Sequence, residues 1–424
     1  MIGRMMLSHT RGVMLILLRS ASHGAAFLST LREQLRYSSA SPRRVVGRRY
    51  HPASTDNECI RSDPVDAPAF AIYYNDVYEV DLPTGHRFPM QKYRIVREGV
   101  QAKLDSLRED EKARVSCDFR VSPLATEAQL VTTHDARYVN RYLTGEMTES
   151  ENRNIGFPWS PQHVNRTLSS LMLPGVPITL SEITARAFVY FQVKSNKIAL
   201  ILHAKFAECT DLALLSQFFT DIAVAANVLL ESYSSSIRRI LIIDLDVHQG
   251  NGNAALFDKN DRVQTFSMHC SGNYFSKKET SDLDVELPIG CDDETYLSTL
   301  RYWLKRIEQH QFDESIDVEQ KYTITGRRKN FDLIFFQSGV DIHEDDRLGR
   351  LRITADGISK RNAIVFDFSH RMNAPLIVTM GGGYPKDDDW TPIIESHVGV
   401  YWEAHQYLST MYSRAPMLEK MPLI

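Results

Sequence analysis

Three short, mainly apolar runs stand out along the chain: Ile240–Ile243, Leu333–Phe336 and Leu376–Met380, in which Thr379 is the one polar residue. Mainly apolar runs of this length are typical of strands that are buried on both faces of a parallel sheet. Longer amphipathic stretches, typical of helices with one apolar face, separate these runs. This pattern predicts an α/β fold: a single domain with a mostly parallel central sheet flanked by helices.

Each of the three predicted strands stops abruptly at glycine and polar residues. Asp246 and His248 follow the first run, Asp341 follows the second, and Gly381–Tyr384 follow the third. In open α/β sheets, binding sites form at the carboxyl ends of the strands. The sequence therefore predicts a functional site where these three strands end.

Asp246, His248 and Asp341 have the chemistry of metal ligands. Asp246 and His248 are two positions apart, which places both side chains on the same side of an extended segment. With Asp341 they make three ligands and leave a fourth position open, as in catalytic zinc sites. Zinc is the favoured ion, although other divalent ions accept the same donors. A single Asp or His at a strand end is more often a cap or turn residue, but three such ends favour a metal site.

The segment Gly381–Tyr384 suggests a second element of the same site. Glycines at 381, 382 and 383 let the backbone pass close to a bound ligand. The Tyr384 phenol can donate a hydrogen bond to an oxygen that gains negative charge in a transition state. The alternative is a glycine turn followed by a partly buried tyrosine.

The first fifty of the 424 residues differ in composition from the rest. They contain nine arginines, no lysine, seven serines and one acidic residue, Glu33. This composition is typical of an organellar transit peptide, and the alternative is a disordered basic tail. We therefore predict a transit or disordered segment at 1–60 and a folded domain at 65–424. The predicted location is an organelle, the mitochondrion ahead of the plastid, with nucleus or cytoplasm as the alternative.

Charge and cysteine content narrow the function further. Removing those nine arginines and one glutamate from a chain of 49 basic and 53 acidic residues changes the formal net charge from −4 to −12. An acidic domain is a poor match for the phosphates of nucleic acid, so we expect no direct nucleic-acid partner. The longest early apolar run, Val13–Leu18, is too short to span a membrane. Five cysteines without a CxxC pair argue against a disulfide framework and fit a reducing compartment.

Several segments, in order, resemble the histone deacetylase superfamily of zinc-dependent amidohydrolases with the arginase/deacetylase fold. The matching segments are Leu-Pro-Thr-Gly-His-Arg-Phe-Pro-Met-Gln-Lys-Tyr at 82–93, His-Asp at 134–135, Gly-Phe-Pro-Trp-Ser-Pro at 156–161, Asp-Leu-Asp-Val-His-Gln-Gly-Asn-Gly at 244–252, Thr-Phe-Ser-Met-His-Cys-Ser-Gly-Asn-Tyr-Phe at 265–275, Ser-Gly-Val-Asp at 338–341, Asp-Arg-Leu-Gly at 346–349 and Gly-Gly-Gly-Tyr at 381–384. The segment at 82–93 and the His-Gln-Gly-Asn-Gly variant at 248–252 resemble the class IV branch of this superfamily. The resemblance implies a protein-lysine deacetylase or deacylase that uses Zn²⁺ and K⁺.

The resemblance also implies a role for each matching residue. Asp246, His248 and Asp341 match the zinc ligands, and Tyr384 matches the residue that polarises the acetyl carbonyl. Asp244 matches a carboxylate behind the metal that also borders the K⁺ site, and Ser267 matches a second K⁺ ligand. Asn251 matches a residue that orients a catalytic histidine. Phe275 matches an aromatic wall of the acyl-lysine tunnel, and Gly382 and Gly383 match glycines beside the tunnel.

One block departs from the family pattern. Between residues 170 and 220 the family has a Gly-Gly-x-His-His motif, and its histidines transfer protons during catalysis. A segment that forms a wall of the substrate tunnel follows that motif. In this chain the only histidine of the block is His203. One hypothesis is an error in the gene model, which transcript sequencing would test. The other is a true loss of the proton shuttle, and general acid–base catalysis is typically worth about 10²–10⁴-fold. Loss of the block also predicts a missing core strand.

Three functions remain open at this point. The first is hydrolysis of acetyl-lysine in a protein. The second is binding of acyl-lysine by a catalytically impaired pseudo-deacetylase, and the third is deacetylation of a small acetylated amine. The sequence makes no prediction of oligomeric state.

Overall fold

We describe the protein from a computed structural model. It describes residues 69–78, 80–82, 88–112, 115–155, 157, 159–172, 198–201, 220–273, 278–309, 331–386 and 388–418. The predicted transit segment at 1–60 and most of the divergent block at 170–220 lie outside these ranges, so both remain predictions.

The described residues form one sheet of eight strands with helices between them. The strands are β1 (Ala69–Tyr74), β2 (Ser116–Val121), β3 (Ile198–Ile201), β4 (Ile240–Asp244), β5 (Val263–Cys270), β6 (Leu283–Leu287), β7 (Leu333–Gln337) and β8 (Leu376–Thr379). The helices are α1 (Lys92–Asp105), α2 (Glu109–Lys112), α3 (Glu127–Leu130), α4 (Ala136–Thr144), α5 (Glu149–Ile155), α6 (Pro161–Met172), α7 (Asp221–Ser232), α8 (Asn251–Leu256), α9 (Asp293–Glu308), α10 (Ala355–Met372) and α11 (Thr391–Leu418).

All the strand pairs of this sheet are parallel, in the order β2-β1-β3-β8-β7-β4-β5-β6. The three apolar runs form β4, β7 and β8, which lie side by side, and every residue of these strands is buried. The prediction of a mostly parallel α/β sheet flanked by helices is therefore confirmed.

The helices pack in two groups. In one group α9 contacts α10, α10 contacts α11 and α11 contacts α1. In the other group α7 contacts α3, α6 and α8. Alternate residues of β4 and β7, such as Ile242 and Phe335, join the apolar face of α7 in one core cluster. The intervening residue Phe336 faces the opposite side, where its ring lies 5.3 Å from the Arg361 guanidinium of α10. This alternation follows from the two-residue period of a strand.

Strand β3 corrects one expectation drawn from the divergent block. All four of its residues pair in parallel with β8, and Leu200 and Ile201 also pair in parallel with β1 on the other side. The expected loss of a core strand is therefore wrong: a strand fills the position between β1 and β8, although the family motif is absent. His203 lies just beyond the described residues.

Within the part of the chain that the structure describes, no helix combines the length and apolar character needed to cross a bilayer.

Candidate metal centre

Asp246, His248 and Asp341 come together just beyond the carboxyl ends of β4 and β7. One potential ligand atom from each lies within 4.8 Å of the others. The His248 Nδ1 atom lies 3.2 Å from Asp246 Oδ1 and 3.4 Å from Asp341 Oδ2. The neighbouring positions of β4 and β7 in the sheet produce this convergence, because parallel strands end at the same edge.

Backbone groups orient the two carboxylates. Asp246 Oδ2 accepts the N–H of Gly382 at 2.8 Å, and Asp341 Oδ1 accepts the N–H of Val247 at 2.9 Å. These bonds link the segments after β4, β7 and β8 to one another. The site is therefore held by contacts among three strand ends rather than by any one loop.

The donor set fits a divalent cation. Asp246 and Asp341 are fully buried and His248 is 6% exposed. Two ionised carboxylates this close together in a buried site repel each other, and the buried charges cost several kcal/mol each unless a counter-charge is present. A dication between two carboxylates and an imidazole supplies that counter-charge with ligand types that zinc and related ions accept.

Two glycines make room for Asp246. A Cβ atom at Gly339 would collide with the Asp246 carboxylate, and one at Gly381 would lie 2.9 Å from Asp246 Oδ2 and 2.6 Å from the Gly339 backbone. The strand ends approach so closely that neither position has space for a side chain. This close packing explains why glycines follow two of the three buried strands.

Tyr384 and the glycines before it lie at the end of β8. The side chain of Tyr384 is 3% exposed, and the Gly382 carbonyl accepts the N–H of Val340 at 2.8 Å. Gly383 has φ 153°, a conformation that favours glycine, and a Cβ atom there would lie 2.5 Å from His397 Nε2. The bond from Gly382 brings this segment beside Asp246, and the predicted roles of its residues stay predictions.

Asp244 and Ser267 are paired neighbours in β4 and β5 and are both buried. Ser267 Oγ accepts the N–H of Gly250 at 3.2 Å, and Asp244 Oδ1 accepts the N–H of Asp246 at 3.2 Å. The two predicted K⁺ ligands are thus brought together, and their role as K⁺ ligands stays a prediction.

The remaining predicted residues are less informative. Asn251 begins α8 and donates its backbone N–H to the Gln249 carbonyl at 2.8 Å, and its predicted role toward a catalytic histidine stays untested. Phe275, the predicted tunnel wall, lies outside the described residues.

Sequence reasoning assigned no role to three buried charged residues that support the site. Lys92 of α1 donates to the carbonyl of Gly383 at 3.0 Å, and Arg361 of α10 donates to the carbonyl of Gly339 at 2.6 Å. Asp346 accepts the N–H of Tyr384 at 2.6 Å, and burial raises the pKa of this carboxyl to about 6.

Two of these three residues carried a usable sequence signal. Arg361 lies at a helical spacing from Ile358 and Val365, so it interrupts an otherwise apolar stripe. A charge on such a stripe indicates a buried polar contact. Asp346 begins the Asp-Arg-Leu-Gly motif, which was noted without a function.

Comparison with known proteins agrees with this geometry. Residues 217–400 match the family model described as a histone deacetylase domain. An uncharacterized protein of Picosynechococcus sp. is 32% identical over 318 residues, which cover 75% of this chain and 93% of that protein. Histone deacetylase 2 of Arabidopsis thaliana is 33% identical over 155 residues, 35% of each chain.

One further relative and one solved structure extend the comparison. Histone deacetylase clr6 of Schizosaccharomyces pombe is 31% identical over 193 residues, 43% of this chain and 40% of that protein. The chain thus spans about a third to two fifths of the histone deacetylases it matches in sequence. The solved structure of the histone deacetylase Clr3 superposes with a TM-score of 0.51 at 16% identity, covering 82% of this chain and 53% of that one, so it supports the fold alone. With the strand order and the matched domain, these similarities show that the chain belongs to the histone deacetylase superfamily.

Proposed function

We propose that this protein is a zinc-dependent deacylase that hydrolyses the amide of acetyl-lysine or of a small acetylated amine. The observation that carries the proposal is the buried convergence of Asp246, His248 and Asp341 at neighbouring strand ends. The Gly381–Tyr384 segment supports it, because its backbone donates directly to the ligand Asp246. Class IV membership and a K⁺ ion beside Asp244 and Ser267 remain part of this proposal.

The residues of the site would divide the work of amide hydrolysis. Zinc held by the Asp-His-Asp set would polarise the amide carbonyl and activate a water molecule. The Tyr384 phenol would donate a hydrogen bond to the carbonyl oxygen as that oxygen gains charge. The glycines at 382 and 383 would lie beside the tunnel for the acyl chain, as the family resemblance implies. Burial of these groups strengthens each electrostatic contact with the reacting amide.

A second candidate function is acyl-lysine binding with little turnover. One observation favours it: the tandem histidines that move protons in the family are absent between residues 170 and 220. The single histidine of that block, His203, lies outside the described residues. Zinc binding without hydrolysis of any acetylated substrate would support this candidate.

The proposal is tested by metal content and turnover measured on the same preparations. We expect stoichiometric zinc in the full chain and hydrolysis of an acetyl-lysine peptide or an acetylated polyamine. Asp341→Asn should lose both, whereas Asp258→Asn, at an exposed turn outside the site, should lose neither. Reconstitution of the stripped protein with zinc, iron, cobalt or manganese identifies the active ion. A wild-type protein that binds no divalent ion would contradict the proposal.

We also propose an organellar location, the mitochondrion ahead of the plastid, on the arginine-rich and serine-rich composition of residues 1–50. Deletion of residues 1–60 from a chain with a carboxyl-terminal fluorescent tag should move the tag to the cytosol. An unchanged location of the tag would contradict the proposal that residues 1–60 target the protein to an organelle.

A further inference from the structure

Asp346 is a buried carboxylate that holds three backbone N–H groups. Its Oδ1 atom accepts from Leu348 at 2.8 Å and from Gly349 at 2.7 Å, and its Oδ2 atom accepts from Tyr384 at 2.6 Å. The residue is 3% exposed. Bonds of this kind between an ionised carboxylate and backbone N–H groups are about twice as strong as neutral ones. One oxygen therefore shapes the turn 346–349, and the other holds Tyr384.

The backbone of Tyr384 is fixed from both sides by this turn. Its N–H donates to Asp346, and its carbonyl accepts the N–H of Arg347 at 2.9 Å. Two bonds to consecutive residues of one turn leave the Tyr384 backbone little freedom to rotate or slide. The position of the Tyr384 backbone in turn determines the direction in which its phenol side chain points.

Lys92 acts on the other end of the same peptide group. Its ammonium donates to the Gly383 carbonyl at 3.0 Å, while the N–H of the following Tyr384 donates to Asp346. The peptide group between Gly383 and Tyr384 is thus aligned between a buried cation and a buried anion. Lys92 Nζ also lies 5.4 Å from the centroid of the Tyr384 ring. The low local dielectric strengthens this alignment.

The same turn also touches the metal ligands. A Cβ atom at Gly349 would overlap the carbonyl oxygen of Asp341. The turn therefore packs directly against the backbone of Asp341 on one side and binds Tyr384 on the other. It is one of the contacts that set the separation between the metal site and the tyrosine, beside the bond from Gly382 to Asp246.

We propose that Asp346 is a positioning residue that fixes the Tyr384 phenol relative to the Asp246–His248–Asp341 centre. This inference rests on the proposed deacylase function of that centre. Asp346 acts through Tyr384 and touches no reacting atom. Because misplacement of a catalytic group by about 1 Å costs about 10²-fold in rate, a loosened Tyr384 should lower kcat strongly.

The first test is Asp346→Asn, which keeps the size of the side chain. An amide has only one oxygen, so its NH₂ group must face one of the N–H donors. We expect kcat on an acetylated substrate to fall about 10-fold to 10²-fold, with KM and bound zinc unchanged. Asp332→Asn is the matched control, because Asp332 also accepts two backbone N–H groups but lies at the amino end of β7. It should lower stability and leave kcat unchanged.

A double-mutant cycle separates positioning from a general structural role. If Asp346 acts through the phenol, Asp346→Asn should cause no further loss of kcat in a Tyr384→Phe background. The same cycle is measured without turnover as the affinity of the zinc-loaded protein for a fluorescent hydroxamate, a metal-chelating probe whose oxygen the phenol can contact. Equal losses in both backgrounds, or an unchanged kcat, would overturn the inference.

Lys92 keeps the inference testable if Asp346→Asn does not fold. Lys92→Met removes the donor at the other end of the peptide group and should reproduce the loss only while Tyr384 is present. Lys92→Arg, which can still donate to the carbonyl, should restore kcat. An effect of Lys92→Met that persists in Tyr384→Phe would count against positioning. A wild-type protein that binds neither zinc nor the probe would instead reject the proposed function.

Discussion

At the scale of the residue, Asp246 shows how one side chain serves both the fold and the site. Its Oδ1 atom accepts the backbone N–H of His248 at 3.1 Å and its Oδ2 atom accepts that of Gly382. These bonds fix the carboxylate before any ion binds, so its orientation costs little entropy on binding. The spacing of Asp246 and His248 was readable from the sequence. The bond to Gly382 joins residues 136 positions apart, and no local pattern encodes it.

Tyr384→Phe tests the chemistry assigned to the phenol. The ring and its packing remain, while the hydrogen bond to the developing oxyanion is lost. Removal of one such donor typically costs about 10²–10³-fold in kcat. We expect that loss with little change in KM, zinc content or melting temperature. Steady-state kinetics with a metal assay checks it, and an unchanged kcat would contradict the assignment.

At the scale of the element, the ends of β4, β7 and β8 carry most of the site. Their apolar runs and the abrupt change to glycine and polar residues are strong local signals, so the three strands and their functional ends were predictable. Their adjacency in the sheet was not, because strand order depends on contacts between distant segments. Lys92 was missed for the same reason, because its bond from α1 to Gly383 joins residues 291 positions apart.

Gly339→Ala tests whether the strand ends need their close approach. The new Cβ atom would collide with the Asp246 carboxylate and displace a proposed metal ligand. We expect zinc affinity and kcat to fall by at least 10-fold, together with a loss of about 1–3 kcal/mol in stability. Gly399→Ala in α11 is the matched control, since its Cβ atom would meet Glu403 at an ordinary 3.6 Å. Titration of the stripped proteins with zinc against a chromogenic chelator measures the difference.

The control variant Gly399→Ala has a predicted effect on stability of its own. Alanine in a helix interior is favoured over glycine by up to about 1 kcal/mol, so Gly399→Ala should stabilise the protein slightly. If Gly339→Ala binds zinc as tightly as Gly399→Ala does, the tight packing around Asp246 has no functional consequence.

Leu200→Pro tests the strand within the divergent block. Leu200 is paired with Ile72 of β1 on one side and with Val378 of β8 on the other. Proline has no N–H to give to the ladder and is disfavoured in a central strand. We expect a loss of about 2 kcal/mol or more in unfolding free energy, whereas Leu200→Val, which keeps the N–H, should cost about 1 kcal/mol or less. Urea unfolding measures both; equal stabilities would mean that this segment is not a central strand.

At the scale of the whole molecule, buried ionisable groups link stability to pH. Burial lowers the pKa values of His134, His163 and His269 to about 4. His134 lies before α4, His163 in α6 and His269 in β5. Because these places are separate, the effects of the three histidines on stability should add. Asp346 acts in the opposite direction, since burial raises its pKa to about 6.

The sign of the net effect follows from proton binding. Unfolded histidine has a pKa near 6.5, so below that pH the unfolded chain takes up protons that the folded protein does not. The histidine contribution to stability is therefore present above about pH 6.5 and is lost as the pH falls toward 4. Asp346 binds its proton more tightly when folded, so its effect favours the folded state below about pH 6. Burial also lowers the pKa values of His343, His397 and His405, so the histidines outweigh Asp346 and acid should destabilise the fold.

Urea unfolding at several pH values between 7.5 and 4.5 measures this dependence. A histidine with such a pKa contributes up to about 3 kcal/mol by pH 4. His163→Phe, whose ring fits beside Tyr142 and Phe157, should therefore flatten the curve. Asp346→Asn should steepen it, because it removes the opposing effect of that carboxyl. A wild-type curve without a decline below pH 6.5 would show that the burial of these imidazoles does not control the acid stability of the fold.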